Sequence, residues 1–202
     1  MTLERKLLIA TTNLKKGAEM AEILKAVDLG IAFTSLADYP EAPEVDETGD
    51  TFLANAYLKA RAAVELTGLV SIADDGGLCI DALDGSPGVK SHRFLGYDTP
   101  FSEKMTRILE MMKDVPEAQR TCRFQCAVVV TTPDGRRFDC MGICEGRVGH
   151  EMRGEHGFGY DRIFVLPETG RHMAELSPLE KHQVSHRGKA LAQAVIALRT
   201  LF

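Results

Sequence analysis

The stretch KLLIATTNLKKGAEMAEILKAV, residues 6–27, decides the fold at the start of the chain. Its apolar run LLIA predicts a short buried strand, and a polar turn follows directly. Apolar side chains then recur at the spacing of an amphipathic helix, at Met20, Ile23, Leu24 and Val27. The opening therefore predicts a strand, a polar turn and a helix.

The segments that follow extend this pattern. Strands are expected at 31–36, 69–73 and 163–166. Helices are expected at 53–68 and 101–112, and two more follow, one that begins after Ser177 and a last one that carries Leu201. The segments 121–132 and 137–148 flank a Pro-Asp-Gly turn and predict a β-hairpin. Helices alternating with strands, together with a hairpin, predict an α/β fold with a mixed sheet flanked by helices.

Two glycines are expected to interrupt this order. Gly76 and Gly77 follow Asp74 and Asp75, and we expect them to turn the chain into a short return strand at 77–83. The two aspartates would then lie at the end of a strand, where ligands bind in open α/β sheets.

Length and composition limit the class of protein. The 202 residues fit one domain, 1–202, or one domain with two lobes. A net charge of −5 argues against non-specific nucleic-acid binding, which depends on surplus Lys and Arg. The sequence lacks an apolar run of about 18 residues for a membrane span, and the start does not fit a signal peptide. We therefore expect a cytoplasmic protein with no membrane partner.

The five cysteines leave two interpretations open. The first is a structural zinc site or a disulfide, since Cys122 and Cys126, then Cys140 and Cys144, have a spacing that zinc sites allow. Period-2 alternation on strands explains the same spacing, and buried free thiols are the favoured interpretation.

The polar turn after the first strand is a candidate phosphate site. The unpaired amides of a helix N-terminus favour an anion. Side-chain donors and positive charge come from the segment Thr11, Thr12, Asn13, Leu14, Lys15 and Lys16. It is not a Walker A loop, and an ordinary polar turn is the alternative.

Three acids are candidate ligands for Mg²⁺, which prefers carboxylate oxygens. Glu47 lies in an acidic loop, and Asp74 and Asp75 follow an apolar strand. The alternative for the Asp pair is a turn with local hydrogen bonds.

Two later segments are candidates for recognising a base. The glycine-rich loop at 154–162 contains Phe158, Gly159, Tyr160 and Asp161, and its aromatic rings could stack on a base. A second cluster rich in hydrogen-bond donors suits a keto group or phosphate, and comprises Lys181, Ser185, His186 and Arg187. Core aromatics and a solvated basic patch are the alternatives.

Five segments in order resemble the inosine triphosphate pyrophosphatases, which act on deaminated purine nucleoside triphosphates. The matching segments are TTNLKK, DETGDTFLANAYLKARAA, SIADDGGLCIDALDGSPGVKSHRF, GFGYD and ELSPLEKHQVSHRGKAL. The resemblance implies a mixed α/β fold of two lobes with a central cleft, and a homodimer. It also implies at least one Mg²⁺ per subunit and hydrolysis between the α- and β-phosphates, giving a monophosphate and pyrophosphate.

The resemblance also implies roles for individual residues. Glu47 and Asp75 would bind the metal, and Asp75 would also be the proton acceptor. The phosphates would be held within 11–16 and the substrate would also contact Gly76. The base would be bound by Phe158, Gly159, Tyr160, Asp161, Lys181, His186 and Arg187. The chain departs from the family pattern at Thr12, Gly76 and Arg162, which bears on affinity and rate more than on reaction type.

Two other functions remain open from the residues alone. A nucleotide-binding sensor would use the same pocket without turnover, and a different Mg²⁺-dependent phosphatase would remove the terminal phosphate. The identity of the product distinguishes these two functions from the pyrophosphatase activity.

Overall fold

The computed structural model describes residues 5–43 and 45–202. The strands are β1 Lys6–Ile9, β2 Ala32–Ser35, β3 Val70–Ile80, β4 Thr121–Thr131, β5 Arg137–Val148 and β6 Phe164–Val165. The helices are α1 Leu14–Lys25, α2 Phe52–Thr67, α3 Phe101–Met111, α4 Pro178–Val184 and α5 His186–Leu201. None of the helices in the described part of the chain is long and apolar enough to cross a membrane.

The strands form a mixed sheet with the order β2-β1-β3-β4-β5-β6. β1 runs parallel to both β2 and β3, whereas β5 and β6 are antiparallel. β4 and β5 are neighbours in the sheet and follow one another through the turn at 132–136, so the predicted hairpin is present. The α/β fold with a mixed sheet is confirmed.

Local sequence signals set several helix ends. Thr51 caps α2 because its hydroxyl accepts a hydrogen bond from the Ala54 amide at 3.1 Å. Gly68 ends the same helix with φ of +67°, a conformation that favours glycine. Ser177 caps α4 and Pro178 occupies its first turn, as the sequence predicts.

The chain divides into two compact units. Unit 1 comprises the residues up to Asp75 together with Cys126–Gly142 and Arg187–Phe202. Its core joins β1, β3 and β4 to the apolar faces of α1 and α5, through side chains such as Leu7, Met20 and Leu191. The predicted inward face of α1 is confirmed at Met20 and Leu24, which are fully buried.

Unit 2 comprises Gly76–Gln125 and Ile143–His186. Its core is built from the second half of β3, from α3 and from the segment around β6, through side chains such as Ile80, Ile108 and Phe164. Arg120 is buried in this unit, where its guanidinium donates to the carbonyls of Met112, Val148 and Gly149. The five cysteines are free, and all but Cys79 are buried.

The expected turn at Gly76 and Gly77 is wrong, because β3 continues through both residues to Ile80. Gly77 instead allows Ser91 to approach the backbone of β3 closely. A Cβ there would lie 2.2 Å from Ser91 Oγ, whose hydroxyl accepts a hydrogen bond from the Leu78 amide. Asp74 and Asp75 consequently lie within a strand and not at its end.

Candidate active site

Unit 1 gathers carboxylates and lysines from separate segments. Asp75 lies in β3 and Glu47 in the loop before α2. Lys59 of α2 brings its Nζ to 2.7 Å from Glu47 Oε1 and 3.7 Å from Asp75 Oδ1. Lys16 of α1 places its Nζ 3.9 Å from the same Asp75 oxygen. The two predicted metal ligands therefore flank one ammonium group.

The side chain of Asp75 is buried among these charges. Burial raises its pKa above the usual value for an aspartate, and the nearby carboxylates of Glu47 and Asp74 act in the same direction. Lys59 and Lys16 oppose this rise. Burial would also lower the pKa of Lys59, but the carboxylates around it keep that pKa above its usual value.

Asp74 has a different environment from its neighbour. Its side chain is fully buried, and Arg187 donates to Oδ2 through Nε at 3.1 Å and Nη2 at 2.9 Å. Lys16 Nζ lies 3.6 Å from the same oxygen. Burial would raise the pKa of Asp74, but the charges of Lys16 and Arg187 hold it well below its usual range. Asp74 therefore remains ionised within a buried network of charges.

The turn before α1 is arranged as a helix cap. Asn13 Oδ1 accepts hydrogen bonds from the amides of Lys15 and Lys16, both at 3.1 Å. The Asn13 amide in turn donates to Thr11 Oγ1 at 3.2 Å. Two of the helix amides that we expected to bind phosphate already have a side-chain partner. Thr12, Leu14 and Lys15 are exposed, and the exposed fraction of Leu14 is 82%.

The glycine-rich loop lies in unit 2 and is held by Asp161. Asp161 Oδ2 accepts from the Phe158 amide at 2.8 Å and from Lys181 Nζ at 2.8 Å. Lys181 Nζ also lies 4.4 Å from the centre of the Phe158 ring. Gly157, with φ of +74°, passes so close to Asp161 that a Cβ would lie 2.2 Å from Oδ2. Phe158 and Asp161, from one predicted motif, and Lys181, from another, therefore form one cluster.

Tyr160 and His186 are core residues of unit 2. The Tyr160 hydroxyl donates to the Ser91 carbonyl at 2.9 Å, and its ring meets that of Phe101 edge-on. His186 stacks on Phe124, with 4.7 Å between ring centres. Both side chains are buried, so the structure supports a part for each in shaping the unit.

Arg187 lies in unit 1, whereas Lys181 and His186 lie in unit 2. Its guanidinium contacts the buried carboxylates of Asp74 and Glu19, the latter at 2.5 Å. The cluster expected to be rich in donors and poor in acceptors therefore has carboxylate partners from distant parts of the sequence. The role of Arg187 in binding the purine stays a prediction.

Sequence reasoning missed Lys59, Asn55 and Glu19. Asn55 and Lys59 are four residues apart on α2, a spacing that places them on one helix face. Glu19 is three residues after Lys16 on α1 and so lies near it on the helix surface. This helical spacing is the signal that the sequence offers for these three polar residues.

Comparison with known proteins now gives the family. The model of the Ham1 family matches residues 7–197. The chain belongs to the Ham1 family. Among its relatives, the dITP/XTP pyrophosphatase of Desulforamulus reducens is 43% identical over 98% of this chain and 97% of its own length. That of Vibrio vulnificus strain YJ016 is 44% identical over 96% of this chain and 97% of its own.

Solved structures of Ham1 proteins agree with the fold. A HAM1 protein from Coxiella burnetii has a TM-score of 0.87 and 39% identity, covering 99% of this chain and 100% of that one. A nucleoside-triphosphatase / dITP/XTP pyrophosphatase from Mycobacterium abscessus has a TM-score of 0.75 and 41% identity. It covers 93% of this chain and 97% of its own. The resemblance inferred from the five sequence segments is thus confirmed.

Proposed function

We propose that this Ham1 protein hydrolyses the bond between the α- and β-phosphates of deaminated purine nucleoside triphosphates. The substrates are ITP, dITP and XTP, and the products are the nucleoside monophosphate and pyrophosphate. The names of the relatives support the substrate class. The observation that carries the proposal is the arrangement of Glu47 and Asp75 around Lys59 in unit 1.

The acids of this cluster fit Mg²⁺. Glu47 and Asp75 offer carboxylate oxygens and both already face a cation, the ammonium of Lys59. Within residues 5–43 and 45–202, no group of three or more His, Cys, Asp or Glu is placed to hold a metal ion. Mg²⁺ commonly needs only one or two carboxylates, because waters and substrate phosphates complete its octahedron. Glu47 and Asp75 are therefore a sufficient protein contribution.

When bound, Mg²⁺ neutralises phosphate charge and lowers the pKa of a coordinated water. Asp75 orients the attacking water and accepts its proton. An ordinary aspartate with a pKa of about 3.9 is a weak base, so Asp75 would accept the proton from a water whose own pKa is lowered when the metal is bound. Lys16 and Lys59 stabilise the negative charge on the departing pyrophosphate.

The purine is assigned to the cluster of Phe158, Asp161 and Lys181 in unit 2. Phe158 offers a ring for stacking, and the ammonium group of Lys181, which lies 4.4 Å from the centre of that ring, is a hydrogen-bond donor without acceptor capacity. Hypoxanthine and xanthine carry a 6-keto acceptor, whereas adenine carries an amino donor that would face another donor. An unpaired buried donor costs about 1–3 kcal/mol, which is enough to disfavour ATP.

The homodimer, the cytoplasmic location and the use of at least one Mg²⁺ per subunit are part of the same proposal. The homodimer and the Mg²⁺ rest on the resemblance to the pyrophosphatase family, and the cytoplasmic location rests on the composition and pattern of the sequence. Light scattering on the purified protein tests the dimer, for which twice the monomer mass of 22.2 kDa is expected.

Turnover of a nucleotide panel tests the proposed activity. We expect ITP, dITP and XTP to be cleaved much faster than ATP in the presence of Mg²⁺, and no cleavage in the presence of a chelator. Equal rates for ITP and ATP, or full activity with the chelator, would contradict the proposal.

A further inference from the structure

Asn55 occupies a buried position between the two segments that carry the proposed metal ligands. It lies in the first turn of α2, and none of its surface is exposed. Its side-chain amide has one donor end and one acceptor end, and both are engaged. Nδ2 donates to Asp75 Oδ2 at 3.2 Å, and Oδ1 accepts from the Gly49 amide at 2.8 Å.

The contact with Gly49 fixes the loop that carries Glu47. A Cβ at Gly49 would lie 2.7 Å from Asn55 Oδ1 and 2.7 Å from Ala54 Cβ, so only glycine allows this approach. Gly49 is two residues after Glu47, and one bond therefore ties the Glu47 loop to the start of α2. This attachment and the ion pair with Lys59 both restrain the loop that carries Glu47.

The contact with Asp75 fixes the orientation of the carboxylate. Asn55 holds Oδ2, while the ammonium groups of Lys16 and Lys59 both approach Oδ1. A neutral amide at Oδ2 supplies a hydrogen bond without adding a charge that competes with a metal ion. Partners that hold metal ligands in this way affect metal affinity or activity by about 10–100-fold when they are removed.

We propose that Asn55 is a positioning residue that sets the geometry of Glu47 and Asp75 together through its two hydrogen bonds. The inference rests on the proposed function, since it takes these two acids as the metal ligands. Asparagine suits the position because a buried aspartate would face Asp75 with a like charge, and a leucine would remove a hydrogen-bond partner from the Gly49 amide and from the Asp75 carboxylate.

Two variants separate the contributions of the two bonds. Asn55→Leu has nearly the same shape and removes both hydrogen bonds, whereas Asn55→Asp keeps an acceptor for Gly49 and removes the donor to Asp75. Thr132→Val is the control. Thr132 is also a buried polar residue of unit 1, and its hydroxyl accepts from the Arg136 amide in the turn between β4 and β5.

The readouts are Mn²⁺ binding to the free protein by electron paramagnetic resonance, kcat and KM for ITP, and the unfolding temperature. For Asn55→Leu we expect the dissociation constant for Mn²⁺ to rise about 10–100-fold and kcat to fall by a similar factor. For Asn55→Asp we expect kcat to fall at least about tenfold while Mn²⁺ binding is not weakened, because the new carboxylate adds negative charge. Thr132→Val should lower only the unfolding temperature.

The inference is overturned if the folded Asn55→Leu protein keeps wild-type Mn²⁺ affinity, or if both Asn55 variants match Thr132→Val in every readout. The two proposals fail in different ways. A wild type that binds Mn²⁺ but does not cleave ITP contradicts the proposed function, and the Mn²⁺ affinity of Asn55→Leu still decides the role of Asn55.

Discussion

Lys59 Nζ and Glu47 Oε1 lie 2.7 Å apart, with both side chains largely shielded from water. Asp75 Oδ1 is 3.7 Å from the same ammonium group, so one cation separates two carboxylates. A cation between like charges lowers their mutual repulsion. A divalent cation bound by Glu47 and Asp75 would reduce the same repulsion that the ammonium group of Lys59 reduces here.

Replacing Lys59 tests this relationship. In Lys59→Met the acids repel each other with less compensation, since only Lys16 of these two lysines remains near Asp75, and we expect a lower unfolding temperature without Mg²⁺ than in the wild type. Added Mg²⁺ should then stabilise the variant more than the wild type, since bound ligand stabilises the folded state. Arg61→Met on the same helix is the control, because Arg61 pairs with Glu65 at the surface. Equal Mg²⁺-induced shifts in all three proteins would contradict the account.

Asp75→Asn tests the proton acceptor. The amide keeps the size of the side chain and removes the base, so we expect a folded protein whose kcat falls by about a hundredfold to ten-thousandfold. Asp81→Asn is a matched control outside the site, where Asp81 binds Arg123 and Thr121 at the end of β3. Normal turnover in a folded Asp75→Asn protein would exclude Asp75 from this role.

Lys181→Met tests base selection. Methionine keeps the apolar stem and removes the donors, so we expect the ratio of kcat/KM for ITP to that for ATP to fall by about tenfold to a hundredfold. The buried Asp161 loses its charge partner, and this change also lowers stability. The kcat/KM values for ITP and ATP are therefore measured at a temperature where the variant is folded. An unchanged ratio would place base recognition on other residues.

Glu180 gives a prediction about pH. Hydrogen bonds from Arg171, and then from the amide and hydroxyl of Ser177, lower the pKa of Glu180 to about 2. A lowered pKa in the folded state means that Glu180 stabilises α4 above its unfolded pKa of about 4.3, and that this effect is lost as the pH falls toward about 2.

We therefore expect Glu180→Gln to be less stable than the wild type at pH 6, with a difference that narrows between about pH 4 and pH 2. Urea unfolding of both proteins across this range measures the difference. A difference that stays constant with pH would show that the Glu180 charge does not contribute.

The periodicity of apolar residues was sufficient to predict the mixed α/β fold, and Gly68 and Ser177 were sufficient to predict the ends of two helices. The interruption expected in β3 was wrong because glycine allows either a turn or a close approach. Gly77 is required by Ser91, which is 14 positions later in the sequence and could not be recognised as its neighbour. The sequence therefore predicted the helices and strands better than it predicted the tertiary contacts that explain single residues.

In the candidate site, too, tertiary contacts were harder to predict than the residues themselves. Asp75, Glu47, Phe158 and Lys181 were predicted from motifs, because their residue types suit a metal or a base. Arg187 was grouped with Lys181 by proximity in sequence, although the structure places its guanidinium against Asp74 and Glu19. Pairings between residues far apart in the chain are set by the fold and leave no signal in one sequence.

Product analysis of ITP hydrolysis in water enriched in ¹⁸O tests the central claim most directly. With Mg²⁺ we predict IMP and pyrophosphate as the direct products, in equal amounts, with the labelled oxygen in IMP. A chelator should abolish both products. Orthophosphate as the direct product would move cleavage to the terminal phosphate, and ITP bound without any product would show a binding protein; either result would contradict the account.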